Sequence, residues 1–222
     1  MKTIVFCVPG NNFTDTFLKC WTILYDWCLK NNIRPILSNA YTSNVYYVRS
    51  LCLKLSNDAG TYQKPFNGLD YDYICWIDSD MVFSPKNLQA LIQADKDVVS
   101  GIYMMQNGKE FTTVLNWDED HFLEKGKFQF LTASEAIKLV EEEPIRKCAY
   151  TGLGFTLMKK GVIEKVPYPP FMPYTHKYES KNGVMEEFAS EDVSLFRKLE
   201  KLGIDSYVDL RVRVGHEKLQ IM

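Results

Sequence analysis

Apolar runs and segments with helical periodicity alternate along the first half of the chain. A strand that is buried on both faces has no polar side, so it shows a continuous apolar run. Such runs predict strands at residues 3–8, 34–38, 73–77 and 97–103. Between them, apolar residues spaced by three and four, or a Ser-Pro start, predict helices at residues 14–31, 45–55 and 84–94. This alternation predicts parallel βαβ units and an α/β fold.

The second half of the chain has a less regular pattern. Helices are predicted at residues 134–142 and 190–202, and a strand is predicted at 207–214. The segment 167–183 is rich in proline and aromatic residues, and we expect that segment to form a long loop or flap. No repeat or linker interrupts the pattern, which indicates one domain over residues 1–222.

The composition is that of an ordinary globular protein, with 46% hydrophobic and 24% charged residues. A formal net charge of −2 argues against a large basic surface for non-specific binding of nucleic acid. The six cysteines form no CxxC pair and several lie inside apolar runs, which indicates buried free thiols in a reducing compartment. No stretch approaches the roughly 20 apolar residues of a membrane span. Together these features predict a soluble cytoplasmic protein.

Asp78 and Asp80 are the first candidates for chemistry. They follow the apolar run 73–77 directly, at the end of the sheet where α/β proteins bind ligands. Residues two apart in an extended chain face the same way, so both carboxylates can point into one site. Hard oxygen ligands of this kind suit Mg²⁺ or Mn²⁺. The alternative is a pair of solvated carboxylates in a turn that caps the strand.

Three further candidates lie in the second half. Glu191 and Asp192 open the predicted helix 190–202, and His216 follows the strand 207–214. A carboxylate at this helix start can act as a general base, although acidic residues also favour a first turn because of the helix dipole. A neutral imidazole beside paired aspartates can ligate a metal ion, and a single histidine at a strand end can equally be structural. Both interpretations stay open for each residue.

Two more features are ambiguous on the pattern alone. Gly152 and Gly154 stand where the backbone could approach a substrate closely, or where a turn needs them. Their segment lacks the third glycine of a dinucleotide fingerprint and the Lys-Ser/Thr of a P-loop. Arg49, on the predicted helix 45–55, could reach a diphosphate or a base, or could be a surface charge.

The order of these pieces resembles that of the GT-A glycosyltransferases, particularly the family 2-like enzymes and related small phage or bacterial members. The resemblance covers nearly the whole chain. Its components are Pro9-Gly10-Asn11-Asn12, the Arg49-bearing helix, Ile77-Asp78-Ser79-Asp80, Gly152-Leu153-Gly154, Ser190-Glu191-Asp192 and Val214-Gly215-His216. The resemblance implies a Rossmann-like GT-A fold with a mostly parallel central sheet flanked by helices. It also implies a nucleotide-sugar-binding half, 1–105, and an acceptor-binding half, 106–222.

The resemblance further implies a role for each matching residue. The nucleotide sugar would be bound by Pro9, Asn11, Arg49, Asp78, Ser79, Gly152 and Gly154. Asp80 and His216 would ligate Mn²⁺ or Mg²⁺, and Asp192, with Glu191 beside it, would be the catalytic base. The expected reaction moves a sugar from a nucleotide sugar, with a UDP-sugar favoured, to an acceptor hydroxyl by a single inverting displacement. The acceptor could be a glycan, a lipid, a protein or a modified nucleic-acid base.

Two other functions are compatible with parts of the pattern. A nucleotidyltransferase acting on a sugar phosphate also joins a Rossmann-like sheet to metal-binding carboxylates. It usually has a basic residue in the loop after the first strand, and residues 9–13 contain none. A non-catalytic sugar-binding relative would keep the fold alone, whereas the complete set of Asp78, Asp80, Asp192 and His216 argues for turnover. Glycosyl transfer is therefore the leading hypothesis.

Overall fold

The structure is a computed structural model that describes residues 1–181 and 183–218. Residues 182 and 219–222, which the domain predicted over 1–222 includes, lie outside the described residues. The strands are β1 (Lys2–Pro9), β2 (Ile33–Ala40), β3 (Tyr73–Ile77), β4 (Met81–Val82), β5 (Val98–Ile102), β6 (Thr113–Val114), β7 (Ile145–Cys148), β8 (Tyr150–Thr151), β9 (Phe155–Lys159), β10 (Thr175–Ser180), β11 (Gly183–Phe188), β12 (Ser206–Arg213) and β13 (Gly215–His216). The helices are α1 (Asp15–Lys30), α2 (Val45–Cys52), α3 (Pro85–Ala94), α4 (Glu119–Lys125), α5 (Ala133–Glu142) and α6 (Glu191–Lys201).

A seven-stranded sheet in the order β2-β1-β3-β9-β5-β12-β7 forms the centre of the protein. All of its strands run in one direction except β9 and β7, which are antiparallel to their neighbours. The predicted α/β class and mostly parallel sheet are confirmed. Strand β9 was missing from the prediction, and it lies between β3 and β5, so the first-half strands are not all direct neighbours.

The first-half helices follow the predicted pattern closely. Helix α1 begins where the Thr14 hydroxyl accepts a hydrogen bond from the Phe17 amide, and it buries Phe17, Leu24 and Cys28. Helix α2 ends at Cys52, three residues before the predicted end. It stops there because Lys54 adopts a left-handed conformation with φ of 59°.

The second half differs more from prediction. The polar stretch 117–126 contains α4, which Asp118 caps and Gly126 ends in a left-handed conformation. The prediction of a loop over 167–183 is wrong from residue 175 onward, because β10 pairs antiparallel with β11. Tyr178 holds this hairpin against α4: its ring stacks on Phe122 at a centroid distance of 4.1 Å. Aromatic packing therefore orders a segment whose composition indicated a flap.

The carboxyl ends of β1, β3, β5 and β12 meet at one edge of the sheet. A two-residue ladder at this edge pairs Met81 of β4 with His216 of β13. The ladder places the residues that follow β3 beside those that follow β12. No helix among the described residues has the length and apolar character needed to cross a membrane.

Candidate active site

Asp80 and His216, both predicted as metal ligands, lie side by side although 136 residues separate them. The Asp80 Oδ2 atom is 3.1 Å from His216 Nε2. At the opposite corner of the ring, Nδ1 donates to the Met104 carbonyl oxygen at 2.9 Å. The Met104 carbonyl oxygen fixes the ring so that the other nitrogen faces Asp80, an arrangement compatible with a metal ligand.

The pair fits a divalent ion that is shared with a bound substrate. A carboxylate oxygen and an imidazole nitrogen are both acceptable ligands for Mn²⁺. Over residues 1–181 and 183–218, no three or more His, Cys, Asp or Glu side chains converge to hold an ion by themselves. Ions held by one or two protein ligands complete their coordination with water and phosphate oxygens. Asp80 and His216 would therefore hold such an ion together with a phosphate group.

Hydrogen bonds set the ionisation of this pair. Lys218 Nζ lies 2.6 Å from the same Asp80 Oδ2 atom that faces His216. Burial raises the pKa of Asp80, but the hydrogen bonds from His216 and Lys218 outweigh burial and lower it to about 2. The hydrogen bond to Asp80 raises the pKa of His216 above its ordinary value. Asp80 is therefore a carboxylate at neutral pH.

Arg49 forms a second charged cluster beside the first. Its guanidinium binds both oxygens of Asp78, at 3.0 and 3.4 Å, and its Nε atom lies 3.3 Å from Glu191 Oε1. The Arg49 side chain is only 5% exposed and lies over the Trp76 ring at 5.6 Å. Burial lowers the pKa of Arg49, but the two carboxylates raise it by more. This cluster ties the end of β3 to the start of α6.

The segment from Asp78 to Asp80 is a turn. The Met81 amide donates to the Asp78 carbonyl oxygen at 3.2 Å, and β3 ends at Ile77. The expectation that both carboxylates share one direction, as in an extended chain, is therefore wrong. Asp78 binds Arg49 and Asp80 binds His216, although both residues line the same cleft.

That cleft has a volume of about 290 Å³. It contains several residues predicted to bind the nucleotide sugar or metal, namely Pro9, Arg49, Asp78, Ser79 and Asp80. Asn11, predicted with them, is exposed on the loop outside this lining. The structure thus collects most of the predicted donor-side residues in one place.

Gly10, part of the predicted Pro9-Gly10-Asn11-Asn12 motif, also lines this cleft. Gly10 has a φ of +137°, and a Cβ atom there would lie 2.9 Å from the Ser79 side chain. Only glycine therefore lets the first loop approach the turn at Asp78 so closely. Tyr41, Thr42 and Ser43, which the sequence analysis missed, line the cleft as well. Their position just after the predicted strand 34–38 was the available signal.

Gly152 and Gly154 face a side chain in this structure. A Cβ atom on Gly152 would lie 2.0 Å from the Tyr103 hydroxyl, and one on Gly154 would lie 2.8 Å from Tyr103 Cζ. The Tyr103 ring packs edge-on against His216 at a centroid distance of 5.1 Å. The two glycines thus make room for a residue that positions the candidate metal ligand. Their contact with a donor sugar stays a prediction.

The two carboxylates at the start of α6, Glu191 and Asp192, lie in different surroundings. Glu191 is buried against Arg49, and its pKa is raised by burial and by Asp192 against the lowering effect of Arg49. Asp192 is half-buried and accepts hydrogen bonds from the Tyr150 hydroxyl at 2.9 Å, the Val193 amide at 2.8 Å and the Ser190 hydroxyl. Of the two, Asp192 is the carboxylate that can meet a substrate.

A larger cleft of about 760 Å³ lies in the second half of the chain. Its lining combines apolar and aromatic side chains with carboxylates, and all of it comes from residues 115–181. Two of its lining residues, Trp117 and Phe130, pack against Tyr150 at ring-centroid distances of 6.3 and 6.5 Å. Since Tyr150 binds Asp192, this cleft is connected to the acidic pair by direct packing.

Comparison with known proteins identifies the architecture. No protein-family model matches the chain, and no curated protein matches it either. Among solved structures, GalNAc-T7 matches with a TM-score of 0.56 at 9% identity, over 99% of this chain and 44% of that one. The chain has the GT-A fold. A mutant Drosophila beta1,4-galactosyltransferase 7 shares this fold with a TM-score of 0.51 and 9% identity, over 99% of this chain and 72% of that one.

A solved structure of similar length also matches. The protein A197 from STIV matches with a TM-score of 0.51 at 18% identity, over 100% of this chain and 97% of that one. The GalNAc-T7 structure contains UDP, GalNAc and Mn²⁺, and the Drosophila structure contains manganese, UDP-Gal and xylobiose. At these identities the likeness establishes the fold, and the activity of this chain is argued from its own residues.

Proposed function

We propose that the protein is a metal-dependent glycosyltransferase that moves a sugar from a nucleotide-sugar donor, preferably a UDP-sugar, to an acceptor hydroxyl. One observation carries this proposal. Asp80 Oδ2 and His216 Nε2 lie 3.1 Å apart at the rim of a cleft at the carboxyl edge of a GT-A sheet. Ligands of open α/β sheets bind at this edge.

The donor would be bound mainly by the first half of the chain, residues 1–105, and His216 would join it from the second half. Asp80 and His216 would hold Mn²⁺ or Mg²⁺, with water and donor phosphate oxygens as the other ligands. When bound, the ion neutralises the charge that develops on the departing diphosphate. Pro9, Ser79 and residues 41–43 would surround the nucleotide, because they line the same cleft.

The base of the reaction would be Asp192. Its carboxylate can take the proton of the acceptor hydroxyl as that oxygen attacks the anomeric carbon. Tyr150 and Ser190 hold the carboxylate in position by donating to its two oxygens. Glu191 has a different task, because its carboxylate fixes Arg49 and, through Arg49, the turn at Asp78.

The acceptor would approach through the second half of the chain, residues 106–222. The larger cleft supports this assignment, because Trp117 and Phe130 form its walls and pack against Tyr150. Aromatic rings can cover the C–H face of a sugar, and carboxylates such as Asp120 can accept hydrogen bonds from its hydroxyls. A sugar-bearing acceptor suits this lining.

A panel of UDP- and GDP-sugars, incubated with Mn²⁺, tests the proposal. We expect slow hydrolysis of one donor in the absence of acceptor, and loss of this activity in Asp80→Ala and His216→Ala and on addition of EDTA. Asp205→Ala is the matched control, because Asp205 is an exposed aspartate whose partner is Lys147 and which has no contact with Asp80 or His216. Hydrolysis that survives EDTA and both site variants would contradict the metal assignment.

The base assignment has its own test. Asp192→Asn should lower sugar transfer by roughly 10²- to 10⁴-fold, since a positioned general base contributes about that much. It should leave the affinity for UDP unchanged. Glu191→Gln should instead lower stability, because Glu191 is buried against Arg49. We expect inversion at the anomeric carbon, and a product that retains its configuration would exclude the single displacement.

We also infer a reducing, cytoplasmic location for this enzyme. All six cysteines are free, and all but Cys20 are buried. Buried thiols without disulfides are typical of proteins from reducing compartments. Protein purified without reductant and then unfolded should titrate six thiols, whereas fewer would indicate an oxidising origin.

A further inference from the structure

We infer that Lys218 is a resident cation of the candidate metal site: it competes with the divalent ion for Asp80, and it binds the donor diphosphate once ion and nucleotide are present. This inference rests on the proposed function. It concerns a residue outside every motif that the sequence analysis identified.

The position of Lys218 makes it a competitor. Its Nζ atom lies 2.6 Å from Asp80 Oδ2, the oxygen that also faces His216 Nε2 at 3.1 Å. A divalent ion bound between Asp80 and His216 would use this oxygen. An ammonium group in contact with that oxygen would then face a second positive charge at close range, and such like-charge contacts are unfavourable. Binding of the ion must therefore displace Lys218 from Asp80.

Lys218 can leave Asp80 without disturbing the fold. Its side chain is 39% exposed, and Asp80 is 36% exposed. The backbone just before it is fixed, because the Glu217 amide donates to the Asp80 carbonyl oxygen at 2.8 Å. Glu217 Oε2 also accepts a hydrogen bond from the Thr14 hydroxyl at 2.6 Å. A flexible side chain on an anchored backbone can move between two nearby anions.

A diphosphate provides the second anion. Asp80 lines the cleft proposed for the donor, so phosphate oxygens bound to an ion on Asp80 would lie within reach of the displaced ammonium. Lysine binds phosphate as a point charge and needs no fixed geometry. The lysine thus opposes the ion when it binds alone and supports the ion–nucleotide complex.

Titration of the intact protein with Mn²⁺, followed by the electron paramagnetic resonance signal of free Mn²⁺, tests this inference without measuring turnover. Lys218→Gln should bind Mn²⁺ alone about two- to fivefold more tightly, the range expected for loss of one half-exposed ion pair. With Mn²⁺ present, calorimetry should show that Lys218→Gln binds UDP roughly tenfold more weakly than the parent does, because a charge-assisted hydrogen bond to phosphate is lost. Lys218→Arg should restore both affinities toward the parent values.

Lys147→Gln is the matched control, since Lys147 forms an exposed pair with Asp205 at the same distance of 2.6 Å. It should change neither affinity. Equal affinities in Lys218→Gln and the parent would overturn the inference, as would weaker binding of Mn²⁺ alone. Tighter binding of both ligands would overturn the role toward the diphosphate. A parent protein that binds no Mn²⁺ even with UDP would instead reject the proposed function, and this inference with it.

Discussion

Asp78 and Asp80 stand two residues apart on one turn, yet they belong to charged clusters of opposite character. Asp78 is bound by Arg49, whose side chain is 5% exposed and is also held by Glu191. Asp80 meets His216 and Lys218, and the lysine is 39% exposed. In the first cluster Arg49 contacts both carboxylates, Arg49 and Glu191 are buried, and only Asp78 is partly exposed, at 28%; we call this cluster closed. The second is open to solvent on the side of the cleft.

The two clusters differ in exposure, and this difference suits one to fixing the turn in place and the other to binding a ligand. A buried ion cluster has lost the solvation of its charges, so removing one partner leaves the others uncompensated. A half-exposed cluster exchanges its partners at little cost, because water replaces them. The closed cluster therefore fixes the turn, and the open cluster can bind a cation or a phosphate on it. Three predictions test this division.

The largest expected effect is loss of stability in Arg49→Met. This variant leaves Asp78 and the buried Glu191 without their partner, and breaking a buried ion pair in this way costs about 3–5 kcal/mol of unfolding free energy. Urea denaturation followed by circular dichroism measures the change. Arg34→Met is the control, because Arg34 is exposed on β2 and should change stability by no more than about 0.5 kcal/mol. A loss below about 1 kcal/mol for Arg49→Met would show that the cluster is not closed.

The second prediction concerns the open cluster. Mn²⁺ with UDP at about 100 times its dissociation constant should raise the free energy of unfolding by about 2.7 kcal/mol, because a ligand that binds only the folded state stabilises it. Asp80→Ala should lose this increment while keeping the stability of the ligand-free parent within about 1 kcal/mol. If Mn²⁺ and UDP stabilise the variant as much as the parent, the ion does not bind at Asp80.

Sequence patterns predicted one side of this comparison much better than the other. Asp78, Asp80 and His216 could be found because each follows a buried strand, and strand ends meet at a sheet edge by topology alone. The partners of Arg49 could not be found, since Glu191 is 142 residues away and no local period connects them. The closed cluster therefore leaves no local signal in the sequence, which predicts Arg49 only as a ligand of the donor or as a surface charge.

The same limit applies to the fold. Strands β1, β2, β3 and β5 were predicted from their apolar runs, whereas β9 was missed although it is buried between two of them. Likewise, Tyr103 matters only because Gly152 and Gly154, about fifty residues later, leave room for its ring. The hairpin β10–β11 depends on Tyr178 meeting Phe122. Each of these features depends on contacts between residues that are far apart in the sequence, and local periodicity does not reveal such contacts.

The smallest expected effect comes from Tyr150→Phe, which tests how the Asp192 carboxylate, beside the closed cluster, is held. Its hydroxyl donates to Asp192 Oδ2 at 2.9 Å, while Ser190 and Val193 hold the other oxygen. Losing one of three hydrogen bonds to a carboxylate should lower sugar transfer by roughly tenfold, since about 1.5 kcal/mol is the low end for a hydrogen bond to a charged group and two such bonds remain. Hydrolysis of the donor should change less, because water is small and needs no orientation by the acceptor cleft. If donor hydrolysis and transfer fall equally, Tyr150 supports the fold around both clusters and does not orient the base.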